Sequence, residues 1–82
     1  MYKVWVSDDN VSFATNALEF ESAEEAVVYA RDLFSRWMAM VDWVVIPLYA
    51  LQAGAPIPLH LAYAESVWTM NAGEVEHNDL EN

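Results

Sequence analysis

Asn16-Ala-Leu-Glu-Phe-Glu-Ser-Ala-Glu-Glu-Ala-Val-Val-Tyr-Ala-Arg-Asp-Leu-Phe-Ser-Arg-Trp-Met-Ala-Met40 decides how the rest of the chain is read. Ser22 is an N-cap residue, because its hydroxyl can accept from an orphan N–H of the first helical turn. Glu25 three residues on completes a Ser-x-x-Glu capping box. Glu24 and Glu25 place negative charge at the positive end of the helix dipole, and Arg36 places positive charge near the other end. Ala23, Ala26, Val27, Ala30, Leu33, Phe34, Trp37 and Val41 follow the i, i+3, i+4 spacing of one buried stripe. Asp32 and Arg36 make an acid-then-base pair one turn apart. Val28, Tyr29 and Met40 lie off the stripe and call for a second covering surface.

The flanking residues alternate. Tyr2, Val4 and Val6 interleave with Lys3, Trp5 and Ser7, and Val11, Phe13 and Thr15 interleave with Ser12 and Ala14. Both are strand patterns. Ser7-Asp8-Asp9-Asn10 joins them as a polar turn, giving a hairpin. Leu18 and Phe20 form an extended lead-in to the helix that points both side chains inward. After Asp42, Trp43-Val44-Val45-Ile46 is apolar on both faces, the mark of a strand covered on both sides. Pro47 ends it. The expected fold is α+β with a β-β-α-β unit. The first strand lies between the other two in a small antiparallel-type sheet, and the helix crosses one face.

Residues 48–58 contain Gly54, Pro56 and Pro58 and read as a connector. Two signals compete from Leu59 to Asn71. Leu59, Ala62, Tyr63, Val67 and Met70 fit a helical face, with Pro58 opening it and Gly73 closing it. Ile57, Leu59, Leu61 and Tyr63 alternate instead, and Val67-Trp68-Thr69 favours a strand. The helix is taken as the reading. Residues 74–82 carry Glu74, Glu76, Asp79 and Glu81 and read as a disordered acidic tail behind a single domain of residues 1–73.

With 82 residues, 56% of them apolar, and no cysteine, neither a disulfide nor a thiolate metal site braces the fold. The apolar surplus points to self-association. Thirteen acids against three bases give a net charge of −10. That balance argues against direct binding of nucleic acid and against an anionic membrane surface, and it fits a basic protein partner. The N-terminus lacks the pattern of a signal peptide, and the apolar run Trp43 to Leu51 is too short to span a bilayer, so a cytoplasmic setting is expected.

Catalytic chemistry finds little support. His60 sits between two leucines and reads as structural. His77 lies in the acidic tail, where nothing holds a second ligand shell. No metalloprotease, EF-hand or phosphate-loop motif is present. Asp8-Asp9 and Glu24-Glu25 are explained by a turn and a helix start. The expectation is therefore a non-enzyme with no cofactor and no metal. Asp8, Asp9, Glu19, Glu21, Glu24 and Glu25 are uninterrupted by any base and are read as one acidic partner-binding surface. The competing reading is a homo-oligomeric structural or accessory protein with an aromatic-rich subunit interface around Val28, Tyr29, Trp43 and Trp68, whose charge serves solubility.

Asn16-x-Leu18-x-Phe20-x-x-x-Glu24-Glu25-Ala26, then Tyr29-Ala30-x-Asp32-Leu33-Phe34-Ser35-Arg36-Trp37, then Trp43-x-Val45, resembles small uncharacterised proteins encoded by bacteriophages and prophages. The resemblance covers residues 11–46. It implies a mobile-element protein in a bacterial cytoplasm, a setting where small acidic proteins act as stoichiometric inhibitors of host nucleic-acid-binding defence complexes, anti-CRISPR proteins among them. It transfers no functional residue.

Overall fold

The computed structural model describes residues 1–75. The elements are β1 (Tyr2–Ser7), β2 (Ser12–Thr15), α1 (Ala23–Arg36), β3 (Asp42–Pro47), β4 (Ile57–Pro58), α2 (Leu59–Glu65), β5 (Trp68–Thr69) and β6 (Gly73–Glu74). They form an α+β fold whose antiparallel sheet has the strand order β4-β2-β1-β3-β5-β6. The N-terminal part is the expected β-β-α-β unit, with β1 between β2 and β3.

The pairing of β1 with β3 runs from Tyr2 opposite Pro47 to Ser7 opposite Asp42. All six residues of β3 are buried, as its two-faced apolar run requires. Trp43 and Val45 join Val4, Ala26, Val27 and Ala30 beneath α1. Val44 and Ile46 join Trp5, Phe13, Ile57 and Ala62 on the opposite face, beneath α2. The short side chains Ala26 and Ala30 let α1 approach the sheet closely, and the two-sided cover removes β3 from water altogether.

The hairpin turn forms for the expected reason. The Asp9 carboxylate accepts from the Val11 N–H at 2.9 Å and the Ser12 N–H at 3.2 Å. Asn10 takes the left-handed conformation at φ 59°, which its short polar side chain tolerates. At the start of α1 the Ser22 hydroxyl accepts from the Glu25 N–H at 3.1 Å.

The helix stops earlier than its apolar spacing indicates. Trp37 is already extended and caps α1 with its N–H on the Leu33 carbonyl. Four residues later the Val41 N–H bonds the Ser7 carbonyl at 2.8 Å and starts the approach to β3. The demand of β3 for an antiparallel partner therefore overrides the helical pattern, and the stripe breaks at its end. Phe34 is 40% exposed, and Trp37 and Val41 are exposed too, while Met40 is buried in the core under α1. Leu18 is also exposed. Only Phe20 of the lead-in turns inward, through paired hydrogen bonds of 2.8 Å with Tyr2.

In residues 59–71 the helical signal prevails from Leu59 to Glu65, so Leu59, Leu61 and Tyr63 are not a strand despite their alternation, and the strand signal holds only at Trp68-Thr69. The helix is α2, shorter than expected, with Pro58 as its N-cap and Ser66 as its C-cap. Trp68-Thr69 is a strand. Gly73 does not close a helix; it adopts φ 72° at the start of β6, a conformation that costs glycine little. The boundary between domain and tail moves accordingly. Glu74 pairs with Trp68, and the Val75 N–H donates to the Val67 carbonyl at 3.0 Å, so both belong to the sheet. The remainder of the expected tail, residues 76–82, lies outside the described residues.

Candidate functional site: an acid-rimmed groove beside the helix start

The six carboxylates from Asp8 to Glu25 do not share one face. Phe20 pairs with Tyr2, so the lead-in and the start of α1 sit at the N-terminal end of β1. Asp8 and Asp9 follow Ser7 at its other end. A strand of this length, with a rise of about 3.3 Å per residue, separates the two groups by roughly 17 Å. The expected continuous acidic surface is thus divided. Asp9 is also engaged by its own turn: the N–H groups of Val11 and Ser12 hold its carboxyl below the ordinary value of 3.8.

A different grouping replaces it. Glu21 from the lead-in, Glu24 from the first turn of α1 and Glu74 from β6 line one groove of about 410 Å³ together with Tyr2, Val67 and Trp68. All three glutamates are exposed. They come together because α1 begins over the sheet edge that β5 and β6 extend. The Tyr2–Phe20 pairing fixes Glu21 beside β1. The Ser22 cap fixes the direction of the first turn, and with it Glu24. The register of β5 with β6 puts Glu74 opposite Trp68. Tyr2 and Trp68 line the groove together with the carboxylates, and the Trp68 indole Nε1 is buried with no hydrogen-bond partner among the described residues. Glu19 and Glu25 are exposed nearby but do not line the groove.

Among the described residues no group of three or more His, Cys, Asp or Glu side chains could hold a metal. His60 is an exposed residue of α2, and His77 lies outside the described residues.

The residues read as a subunit interface have separate fates. Trp43 is 1% exposed inside the core and offers no surface to a second chain, because β3 is covered on both faces within one molecule. Tyr29 packs on Phe20 with ring centroids 5.2 Å apart. Trp68 is half-buried in the acid-rimmed groove. Val28 is 68% exposed on the outer face of α1.

Glu74 is the groove residue that sequence reasoning set aside, since its composition groups it with the tail. A signal for it is present: Asn71-Ala72-Gly73 is turn chemistry between Val67-Trp68-Thr69 and Glu74-Val75, the pattern of a short hairpin. No helix among the described residues is long and apolar enough to cross a membrane. No family model, no curated protein and no solved structure matches the chain.

Proposed function

We propose that this chain is a non-enzymatic binding protein that engages a basic protein surface through the acid-rimmed groove. The observation that supports this reading is the meeting of Glu21 and Glu24, at the start of α1, with Glu74 of β6 in one groove with the aromatic side chains of Tyr2 and Trp68. Carboxylates beside aromatic side chains suit a lysine or arginine side chain. The cation stacks on a ring face and its N–H groups reach the rim.

The net charge of −10 acts at longer range. It accelerates encounter with a basic groove and disfavours acidic partners and nucleic acid. A basic surface that accepts such a chain is one that otherwise holds phosphates. The proposed action is therefore stoichiometric: the chain covers the nucleic-acid site of a basic host protein, as an inhibitor encoded by a mobile element would. Titration of an arginine-rich peptide against the purified chain tests the binding step. The expected result is saturable binding that weakens as salt is raised. A peptide of the same length with glutamates in place of arginines binds nowhere on this reading; equal binding of both peptides contradicts it.

A further inference from the structure

We propose that the pocket between β1 and residues 48–55 binds a small organic monoanion with an apolar body, its carboxylate on the Lys3 ammonium and its ring or chain beside Trp5. The site lies on the α2 face of the sheet, whereas the acid-rimmed groove lies on the α1 face, and it does not depend on what that groove binds.

Alternation along the strands builds the pocket. Lys3 and Trp5 belong to the α2 face of β1, where Trp5 packs with Ile46 and Leu51. In the sheet register Lys3 stands opposite Ile46, and Trp5 opposite Thr15. α2 packs against β2, β3 and β4. Over the Lys3 end of β1 the cover comes instead from the chain that leaves β3. That segment is held by the Leu48 N–H on the Met1 carbonyl at 2.9 Å and the Ala50 N–H on the Pro47 carbonyl at 3.1 Å. It does not fill the space. A cavity of about 230 Å³ remains, with Lys3, Trp5, Thr15 and Ile46 on the sheet side and Leu48 and Leu51 from the covering segment.

Charge selects the occupant. Lys3 is the only charged residue that lines the cavity. Its ammonium donates to the Asn16 carbonyl at 2.6 Å, and no carboxylate among the described residues pairs with it. An ammonium has three donors, so the charge and two N–H groups are left for an anion. In a chain with thirteen acids and a net charge of −10, a half-buried lysine beside a cavity and without a carboxylate is a local exception. One ammonium balances one negative charge, and the surrounding carboxylates repel a second. That favours a monocarboxylate over a phosphate or a nucleotide. The Thr15 hydroxyl spends its proton on the Val4 carbonyl at 2.8 Å, so Lys3 alone among the lining side chains donates to the anion.

Size and lining select the rest of the ligand. Apart from Lys3 and Thr15 the lining side chains named are apolar or aromatic, and Trp5 gives a ring an aromatic neighbour. Drug-sized ligands fill pockets of about 300–1,000 Å³. This smaller cavity takes a single ring or a short alkyl chain beyond the carboxylate.

Phenylacetate, a one-ring monocarboxylate, is the probe, titrated into the isotope-labelled full chain and followed by NMR. The signals of Lys3, the Trp5 indole, Leu48 and Leu51 should move together and saturate in the roughly millimolar range expected of so small a ligand. Phenylacetamide has the same shape without the charge and should bind at least about tenfold more weakly. Lys3→Met keeps the stem and removes the ammonium; it should weaken phenylacetate by a similar factor and leave phenylacetamide unchanged. Inorganic phosphate should produce no saturable shift at these signals. The comparison of acid with amide uses the wild-type chain, so it stands even if Lys3→Met does not fold. Absence of a saturable shift with phenylacetate, shifts centred elsewhere, equal affinity for acid and amide, unchanged phenylacetate affinity in a folded Lys3→Met, or saturable phosphate binding would each overturn the proposal.

Discussion

The Tyr63 phenol donates a hydrogen bond to the carboxylate of Asp42, tying α2 to the first residue of β3 across twenty-one positions of sequence. Asp42 is 8% exposed. Its other oxygen accepts from the Trp43 N–H at 2.8 Å. The residue that interrupts the apolar stripe in the sequence is thus a buried carboxylate supplied with donors, and Tyr63 also packs edge-on against Phe13 at 5.5 Å.

Tyr63→Phe keeps the ring and removes the donor. Leaving a buried acceptor short of a partner costs about 1–3 kcal/mol, to be read from denaturant midpoints. The alkaline range carries a second signature. Burial, then the hydrogen bond to Asp42 and its negative charge, push the Tyr63 phenol from its ordinary 10.0 up to about 12. The neutral phenol is favoured by folding, so this contribution is complete below about pH 10 and is lost as pH rises towards about 12. Tyr63→Phe should lose less stability than wild type across that interval.

Phe13→Ala and Phe34→Ala separate the core from the stripe. Phe13 is fully buried on the α2 side of the sheet, so its truncation should cost about 3–5 kcal/mol. Phe34 lies on the helix and is only partly covered, so its loss should cost less, about 1–2 kcal/mol. Equal losses in chemical denaturation would place Phe34 in the core after all.

Asp9→Ala should weaken the hairpin turn in a pH-dependent way. The turn N–H groups favour the ionised carboxylate and lower its pKa. Its contribution is therefore present above pH 3.8 and disappears as pH falls through the lower folded value. Thermal midpoints of wild type and variant should differ at neutral pH and converge in acid.

How far the sequence reveals the fold depends on how local each signal is. The capped helix start, the Asp9 turn and the two-faced strand β3 are legible because residues within one turn or one strand determine them. The helix end is not, because Val41 is drawn from the helix by the carbonyl of Ser7, at the far end of the preceding hairpin strand. The candidate site fails for the same reason. Proximity in sequence groups Asp8 and Asp9 with Glu21 and Glu24, while β1 holds them apart. The pairing of β5 with β6 brings in Glu74, whose crowded acidic neighbours give it the composition of a tail.

Truncation tests that revised boundary. A chain ending at Val75 keeps β6 and the Val75–Val67 hydrogen bond, whereas one ending at Ala72 loses both and uncovers Trp68. The shorter chain should melt several degrees lower, since about 1 kcal/mol moves the midpoint of a domain this size by about 4–8 °C. Identical melting curves would return Glu74 and Val75 to the tail.

Position against total charge is the sharpest test of the acid-rimmed groove. Glu21→Lys and Asp8→Lys change the net charge equally, both at exposed sites, but only Glu21 lines the groove. Titration of an arginine-rich peptide should show binding lost or strongly weakened in Glu21→Lys and close to wild type in Asp8→Lys, with both variants folded. Equal weakening in the two would mean that the peptide responds to overall charge, and the groove would not be the binding site.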